Sequence, residues 1–190
     1  SGADTGNYSV TDQSSTTADI STKALTATAS ASNKTYDGST TASTTLTFSG
    51  LVGSETLGQT VGSTFDNKNV GSNKTVTVNS ITLADGSGLA ANYSISAGQT
   101  TTANITAKSL TVSGITGINK VYDGNTVVTL DSSSVTYSGL VSGDSFVGAY
   151  SGVFANANVD TGKTVTITSS YSGSDVNNYT VTDQSSTTAN

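Results

Sequence analysis

The nonapeptide VTDQSSTTA occupies Val10–Ala18 and recurs, letter for letter, at Val181–Ala189, 171 residues further along the chain. A looser copy, ISAGQTTTA, lies halfway between the two at Ile95–Ala103. The repeating unit is therefore about 85 to 89 residues long, which is too long for a solenoid repeat and suits a small independent domain.

Shorter motifs also recur, in the same order in each copy. They are Tyr36-Asp37-Gly38 with Tyr122-Asp123-Gly124, Ser49–Val52 with Ser138–Val141, Lys74–Thr77 with Lys163–Thr166, and the Asn-Tyr pairs that end at Tyr8, Tyr93 and Tyr179. With the phase set by the ends of the chain, we predict one module over residues 20–104 and a second over residues 105–190. A cut near the Asn-Tyr pairs is the alternative, but it leaves a ragged C-terminus. Residues 1–19 are interpreted as the tail of a preceding, truncated copy, so the chain is expected to be a fragment of a tandem array.

The Tyr-Asp-Gly motif predicts a structural turn in each module. Glycine accepts a positive φ and aspartate hydrogen-bonds the neighbouring backbone, so Asp-Gly is a strong turn signal. The tyrosine before it, Tyr36 or Tyr122, is expected to bury its ring in the core of its own module while its hydroxyl finds a hydrogen-bond partner. The Asn-Tyr pairs are also interpreted as structural, with the Asn and a nearby Asp capping a turn.

Short segments of alternating apolar and polar residues predict β-strands in both modules. Thr44–Phe48 (TTLTF), Thr75–Val78 (TVTV) and Thr164–Ile167 (TVTI) show this alternation, while Gly, Asn and Asp gather between such segments. No segment has a convincing helical period, although Leu51–Leu57 could hold a single helical turn. We expect about six or seven short strands per module, hence an all-β chain of two tandem sandwich-like (Ig-like) modules of about 86 residues. A β-grasp-like arrangement is the alternative.

The composition excludes most kinds of catalytic and metal centre. The chain has no Cys, His, Met, Trp or Pro, and all seven of its basic residues are lysines. Without Cys and His, zinc, haem and iron–sulfur sites are nearly excluded, and Ser-His-Asp or Cys-His catalysis is excluded outright. We therefore expect neither an enzymatic activity nor a cofactor.

Charge and hydropathy also limit the partners. The net charge of −6 argues against nucleic acid or an anionic membrane, because no basic patch exists to replace condensed counterions. The longest apolar runs are only a few residues, so no segment is expected to insert into a membrane.

Two sets of residues are weaker candidates for a binding role. Asp4, Asp85 and Asp175 precede the Asn-Tyr pairs and could supply oxygen ligands to Ca²⁺, although no recognised calcium-loop spacing is present. Tyr150 and Tyr171 have no aromatic counterpart in the first module, which makes them candidates for exposed rings that stack on a glycan.

The order of motifs resembles that of a known repeat family. K-x-Y-D-G, S-G-L-V, F-x-N-x-N-V-x-x-x-K-T-V-T and N-Y-[ST]-[VI] follow one another in both modules. Together they resemble the YDG-type repeat of large bacterial surface proteins, which are similar to filamentous-haemagglutinin-like, two-partner-secreted adhesins. The resemblance covers essentially the whole chain.

This resemblance implies a secreted or surface-exposed, tandemly repeated adhesin segment, and it carries over no catalytic residue. The first functional expectation is a structural extender, or stalk, that holds a distal binding domain away from the cell. The second is that the repeats themselves bind glycans or other host or bacterial surface molecules, or self-associate, as in a biofilm. Neighbouring repeats of the same chain are expected partners in both cases.

Overall fold

The computed structural model describes residues 3–190 and confirms an all-β chain of two modules. In each module several small sheets surround an apolar core, in the sandwich-like manner that the alternating pattern predicts. No α-helix occurs among the described residues. The β-grasp alternative, which needs a helix packed on its sheet, therefore does not apply.

The first module is built around a long antiparallel hairpin. Its strands are β1 (Lys23–Ala24), β2 (Thr26–Ala31), β3 (Lys34–Thr35), β4 (Thr41–Ala42), β5 (Thr44–Ser49), β6 (Leu57–Phe65), β7 (Gly71–Asp85), β8 (Tyr93–Ser94) and β9 (Thr100–Thr106). One sheet has the order β3-β9-β7-β6-β4, β2 pairs with β5 in a second sheet, and β1 pairs in parallel with β8. The predicted strand at Thr75–Val78 is only part of the 15-residue β7.

The second module repeats this plan with a shorter main hairpin. They are β10 (Lys108–Ser113), β11 (Thr116–Gly117), β12 (Val127–Val128), β13 (Leu130–Asp131), β14 (Thr136–Ser138), β15 (Val147–Phe154), β16 (Lys163–Ser172), β17 (Tyr179–Thr182) and β18 (Ser186–Ala189). The sheet β12-β15-β16-β18 contains the main hairpin, β14-β10-β17 forms a second sheet, and β11 pairs with β13.

Each Asn-Tyr pair closes a single 3₁₀ turn. These turns span Thr5–Asn7, Ala90–Asn92 and Val176–Asn178. The helical turn considered for Leu51–Leu57 is absent: a hydrogen bond of 3.1 Å from Glu55 N to Val52 O closes a tight turn, and β6 then begins at Leu57.

The modules follow each other without a flexible linker. β9 ends at Thr106 and β10 begins at Lys108. One continuous apolar cluster passes from the first module into the second. Its buried members are Tyr36, Ala42, Phe65, Val76, Ala103 and Ile105, up to the end of β9, and Leu110, Val112, Ile115, Phe146, Ile167 and Tyr179 beyond it. The two modules therefore share part of their core.

Candidate functional site

The place where the modules meet is organised around the carboxylate of Asp144, in the second module. Its Oδ2 accepts hydrogen bonds from the hydroxyl of Tyr36 in the first module, at 2.8 Å, and from that of Tyr179, at 2.5 Å. Its Oδ1 lies 3.0 Å from Nζ of Lys68 in the first module. The Asp144 side chain is only 3% exposed. One buried carboxylate thus joins two side chains of the first module to the second.

Lys68 also reaches a second acid across the junction. It lies in the loop between β6 and β7, and its Nζ is 2.7 Å from Oδ1 of Asp175. The other oxygen of Asp175 accepts a hydrogen bond of 3.0 Å from the backbone N of Ser145. A single ammonium group therefore neutralises part of the charge of two neighbouring carboxylates, Asp144 and Asp175.

Ring packing and amide hydrogen bonds complete the junction. The rings of Tyr36 and Tyr179 meet edge to face, with centroids 5.5 Å apart. The backbone N of Val70 donates to Oδ1 of Asn178 at 2.9 Å, and Nδ2 of Asn178 donates to Oδ1 of Asn69 at 3.3 Å. These directional contacts fix the position of the β6–β7 loop on the second module.

The electrostatics of the network favour the charged acids. The hydrogen bond from Lys68 lowers the pKa of Asp175 to about 2. Burial acts to raise the pKa of Asp144, but hydrogen bonds from the two tyrosines and from Lys68 outweigh it, and the net shift is downward. Burial, followed by the hydrogen bond to Asp144, raises the pKa of Tyr179 to about 12. At neutral pH both tyrosine hydroxyls therefore stay protonated and can donate.

Acidification should weaken the junction. Because the pKa of Asp175 is lowered from 3.8 to about 2 on folding, its stabilising contribution is complete above about pH 4 and is lost as the pH falls through about 2. The Asp175→Asn variant lacks this contribution, so its free energy of unfolding should fall less steeply over this range than that of the wild type. Denaturant unfolding of both proteins across the range measures the difference, and parallel curves would contradict the assignment.

The local sequence places Tyr36 at the edge of the first module. Nζ of Lys34 donates to Oδ1 of Asp37 at 2.8 Å, which ties the ends of the turn together. Gly38 follows with a φ of 79°, in the left-handed region that favours glycine. A Cβ at Gly38 would lie 2.8 Å from Cγ1 of Val141, so the glycine also makes room for the second module.

The second Tyr-Asp-Gly motif forms the same turn, but its tyrosine enters no core. Nζ of Lys120 lies 2.7 Å from Oδ1 of Asp123, and Gly124 has a φ of 80°. Yet Tyr122 is 64% exposed, against 1% for Tyr36. The expectation that Tyr122 anchors its own module is therefore wrong. Tyr36 packs against Tyr179 and donates to Asp144, both in the second module, whereas the ring of Tyr122 faces solvent.

The tyrosines of the three Asn-Tyr pairs differ in the same way. Tyr93 and Tyr179 are buried, and the Tyr93 hydroxyl donates to Glu55 while it accepts from the backbone N of Val52 at 3.1 Å. Tyr8 lies in the exposed N-terminal stretch. The same pair of residues therefore has a buried tyrosine in the two matched positions at Tyr93 and Tyr179 and an exposed one at Tyr8.

The three aspartates considered as calcium ligands have separate surroundings. Asp175 pairs with Lys68, as described. Asp85 accepts a hydrogen bond of 2.7 Å from the backbone N of Ala90, at the start of a 3₁₀ turn. Asp4 is exposed beside the first 3₁₀ turn. Within residues 3–190 no three His, Cys, Asp or Glu side chains form a group that could hold a metal ion.

Tyr150 and Tyr171 lie half-buried in an aromatic cluster of the second module. The ring centroid of Tyr171 is 5.1 Å from that of Phe146 and 6.3 Å from that of Tyr150. The Tyr150 hydroxyl lies 2.9 Å from that of Tyr137, and the Tyr171 hydroxyl donates to Asp183. Part of each ring is thus taken up by contacts within the module, and glycan contact at these rings stays a prediction.

Lys68 and Asp144 are the junction residues that sequence reasoning missed. Asp144 has a signal in the repeat, because it aligns with Glu55 and an acid therefore follows S-G-L-V in both modules. Lys68 has no such signal, because its counterpart is Ala157. Comparison of the two modules alone therefore gives no indication that Lys68 forms ion pairs between them.

None of the helices within residues 3–190 has the length and apolar character needed to cross a bilayer.

Comparison with known proteins identifies the modules. No curated protein and no solved structure is significantly similar to the chain. A family model described as the YDG domain matches residues 21–103 and, separately, residues 106–189. The two matches cover most of the chain, which therefore belongs to the YDG domain family and contains two tandem copies of that domain.

Proposed function

We propose that the chain is a structural extender, or stalk, segment of a bacterial cell-surface adhesin that presents a distal binding domain. The observation that carries this proposal is the junction at Asp144, to which both modules contribute buried groups. Domains joined by a small polar contact move freely, whereas a shared apolar core restricts bending. A stalk needs such restriction to keep its distal domain away from the cell.

The proposed location is outside the cell, secreted or attached to the bacterial surface. The partners required by this role are neighbouring repeats of the same chain, and the role is mechanical rather than catalytic. The likeness of the motif order to surface-protein repeats supports the same location.

Small-angle scattering should show an elongated particle. A compact globule of 190 residues has a radius of gyration of about 16 Å, and two modules placed end to end should clearly exceed that value. The Tyr36→Ala variant should scatter as a more flexible pair, because the junction loses its central ring. A wild-type particle with the dimensions of one compact globule would contradict the stalk.

The alternative is that the modules themselves bind glycans or self-associate in cell adhesion or biofilm. The exposed ring of Tyr122 favours this alternative, because a solvent-facing aromatic beside a cleft suits stacking. Clear binding of the intact chain on a glycan array, lost in Tyr122→Ala and kept in the Tyr8→Ala control, would favour it over the stalk.

A further inference from the structure

The outer end of the second module carries an open apolar cleft. It has a volume of about 330 Å³, and its lining includes Val121, Tyr122, Phe154, Ala157 and Val159. Val121, Tyr122 and Val159 are exposed large apolar residues. Exposed apolar patches of this kind mark interaction surfaces in soluble proteins.

The counterpart of this surface in the first module is covered. Tyr36, which aligns with Tyr122, is buried against the second module, and Val70, which aligns with Val159, is half-buried there. Val159 is 83% exposed. Corresponding surfaces therefore occur in both modules. The one at Tyr36 packs against the second module, and the one at Tyr122 is exposed.

The core beneath the surface shows the same difference. Val128, Phe154, Val165 and Ala189 form a separate small cluster at the outer end of the second module. Their counterparts in the first module are Ala42, Phe65, Val76 and Ala103, which belong to the cluster that continues through Ile105 into the second module. The apolar core therefore stops at the outer end of the second module, whereas the corresponding core of the first module continues into the second.

The opposite, free end of the first module already holds the other half of a junction. Glu55, the counterpart of Asp144, accepts a hydrogen bond from the hydroxyl of Tyr93, the counterpart of Tyr179. The backbone N of Val52 donates to the same hydroxyl at 3.1 Å, as Val141 N does to Tyr179 at 2.9 Å. A cleft of about 400 Å³ opens beside Glu55 and Val52.

The two free ends also match in charge. The lysine of the observed junction, Lys68, is replaced by Ala157 at the free end of the second module. The acid that it binds, Asp175, is replaced by the exposed Leu89 at the free end of the first module. The cation and its second acid are therefore absent together at the two free ends. Lys23 lines the cleft beside Glu55, so a cation stands close to the one acid that the proposed contact covers.

We propose that the cleft at Tyr122 binds the free end of a first-type module from a second copy of this chain. In this junction the Tyr122 hydroxyl donates to Glu55 of the second copy, Gly124 packs against Val52 of the second copy, and Ala157 lies near Leu89 of the second copy. The contact is head-to-tail, so it leaves one free end of each kind and extends into an open array rather than closing into a ring. It rests on the proposed stalk function, because it supplies the joint that continues the stalk.

Disulfide trapping can test the junction, because the chain has no native cysteine. A Cβ at Gly38 would lie 3.9 Å from Cβ of Val141, which is within the range of about 3.5 to 4.5 Å found in disulfides. The Gly38→Cys/Val141→Cys double variant should therefore form an intramolecular disulfide and serves as the positive control. The corresponding pair for the proposed junction is Gly124→Cys in one full-length chain and Val52→Cys in another.

When these two single-cysteine chains are mixed and oxidised, the cross-linked heterodimer should exceed the two homodimers together. Random collisions of equally reactive thiols would give no such excess. Adding Tyr122→Ala to the Gly124→Cys chain should return the products to the random ratio, while adding Tyr8→Ala should leave the excess intact. A random ratio with Tyr122 present, or an excess that survives Tyr122→Ala, would overturn the proposal. Neither result would alter the joint between the two modules within one chain, which scattering tests separately.

Discussion

Replacing Tyr36 by alanine is expected to lower the free energy of unfolding by about 3 to 5 kcal/mol, the usual cost of truncating a buried aromatic side chain. The ring of Tyr36 packs on Tyr179 and its hydroxyl donates to Asp144, so the change removes two contacts between the modules. Because the ring belongs to the shared core, both modules should become less stable. Denaturant unfolding followed by circular dichroism measures the loss.

The matched control is Tyr122→Ala, in the same motif of the other module. Its ring is mostly exposed in this chain, so the free energy of unfolding should change by no more than about 0.5 kcal/mol. Equal losses of unfolding free energy in the two variants would mean that the motif stabilises each module by itself. The contacts between the modules would then add no stability.

The second large effect is expected from Asp144→Ala. This change removes the acceptor of two tyrosine hydroxyls and one of the two partners of Lys68, and truncating one side of a buried charge pair costs about 2 to 5 kcal/mol. The loss should lie in the lower half of that range, because Lys68 is partly solvated and keeps Asp175. Calorimetry of the variant measures the destabilisation.

Two further variants separate charge from position. Asp144→Asn keeps an acceptor oxygen for the tyrosines and should lose less stability than Asp144→Ala. Glu55→Ala removes the corresponding acid at the free end of the first module, where Tyr93 of the same module is its hydrogen-bond donor. Glu55→Ala should therefore lower the free energy of unfolding less than Asp144→Ala does. Equal losses would mean that the contacts of Asp144 across the junction add no stability.

The repeated nonapeptide shows what local sequence can and cannot predict. At Val181–Ala189 it contributes to β17 and β18, which pair with β10 and β16. The identical letters at Val10–Ala18 form no strand and are exposed. The strand pattern was therefore predictable from the residues, but strand formation depends on partners that are distant in sequence and that the N-terminal copy lacks among the described residues.

The main hairpin of the first module was predicted only in part for a similar reason. Alternation identified Thr75–Val78, but β6 contains Gly58 and Gly62, which weaken the apolar pattern of a strand. A Cβ at Gly62 would lie 2.5 Å from Oγ of Ser80, so the Ser80 side chain occupies the space beside Gly62 at the bulge next to Ser63. That proximity is visible only when the two strands are placed side by side.

The contacts between the two modules could not be predicted from the sequence. The turns around Tyr36 and Tyr122 have nearly the same φ at the glycine and the same Lys-Asp contact, so the turns themselves do not distinguish the two tyrosines. Their different burial arises from contacts with the second module, about a hundred residues away in sequence from Tyr36. The Tyr-Asp-Gly turn could thus be predicted from the sequence, whereas the burial of its tyrosine depends on contacts with another module.

Amide hydrogen exchange at Val70 reports directly on whether the two modules are docked. The backbone N of Val70 donates across the junction to Oδ1 of Asn178, whereas its counterpart Val159 lies at the free end. We expect slow exchange at Val70, fast exchange at Val159, and loss of the Val70 protection in Asn178→Ala. If Val70 in the wild-type chain exchanges as fast as Val159, the modules are not docked through this surface.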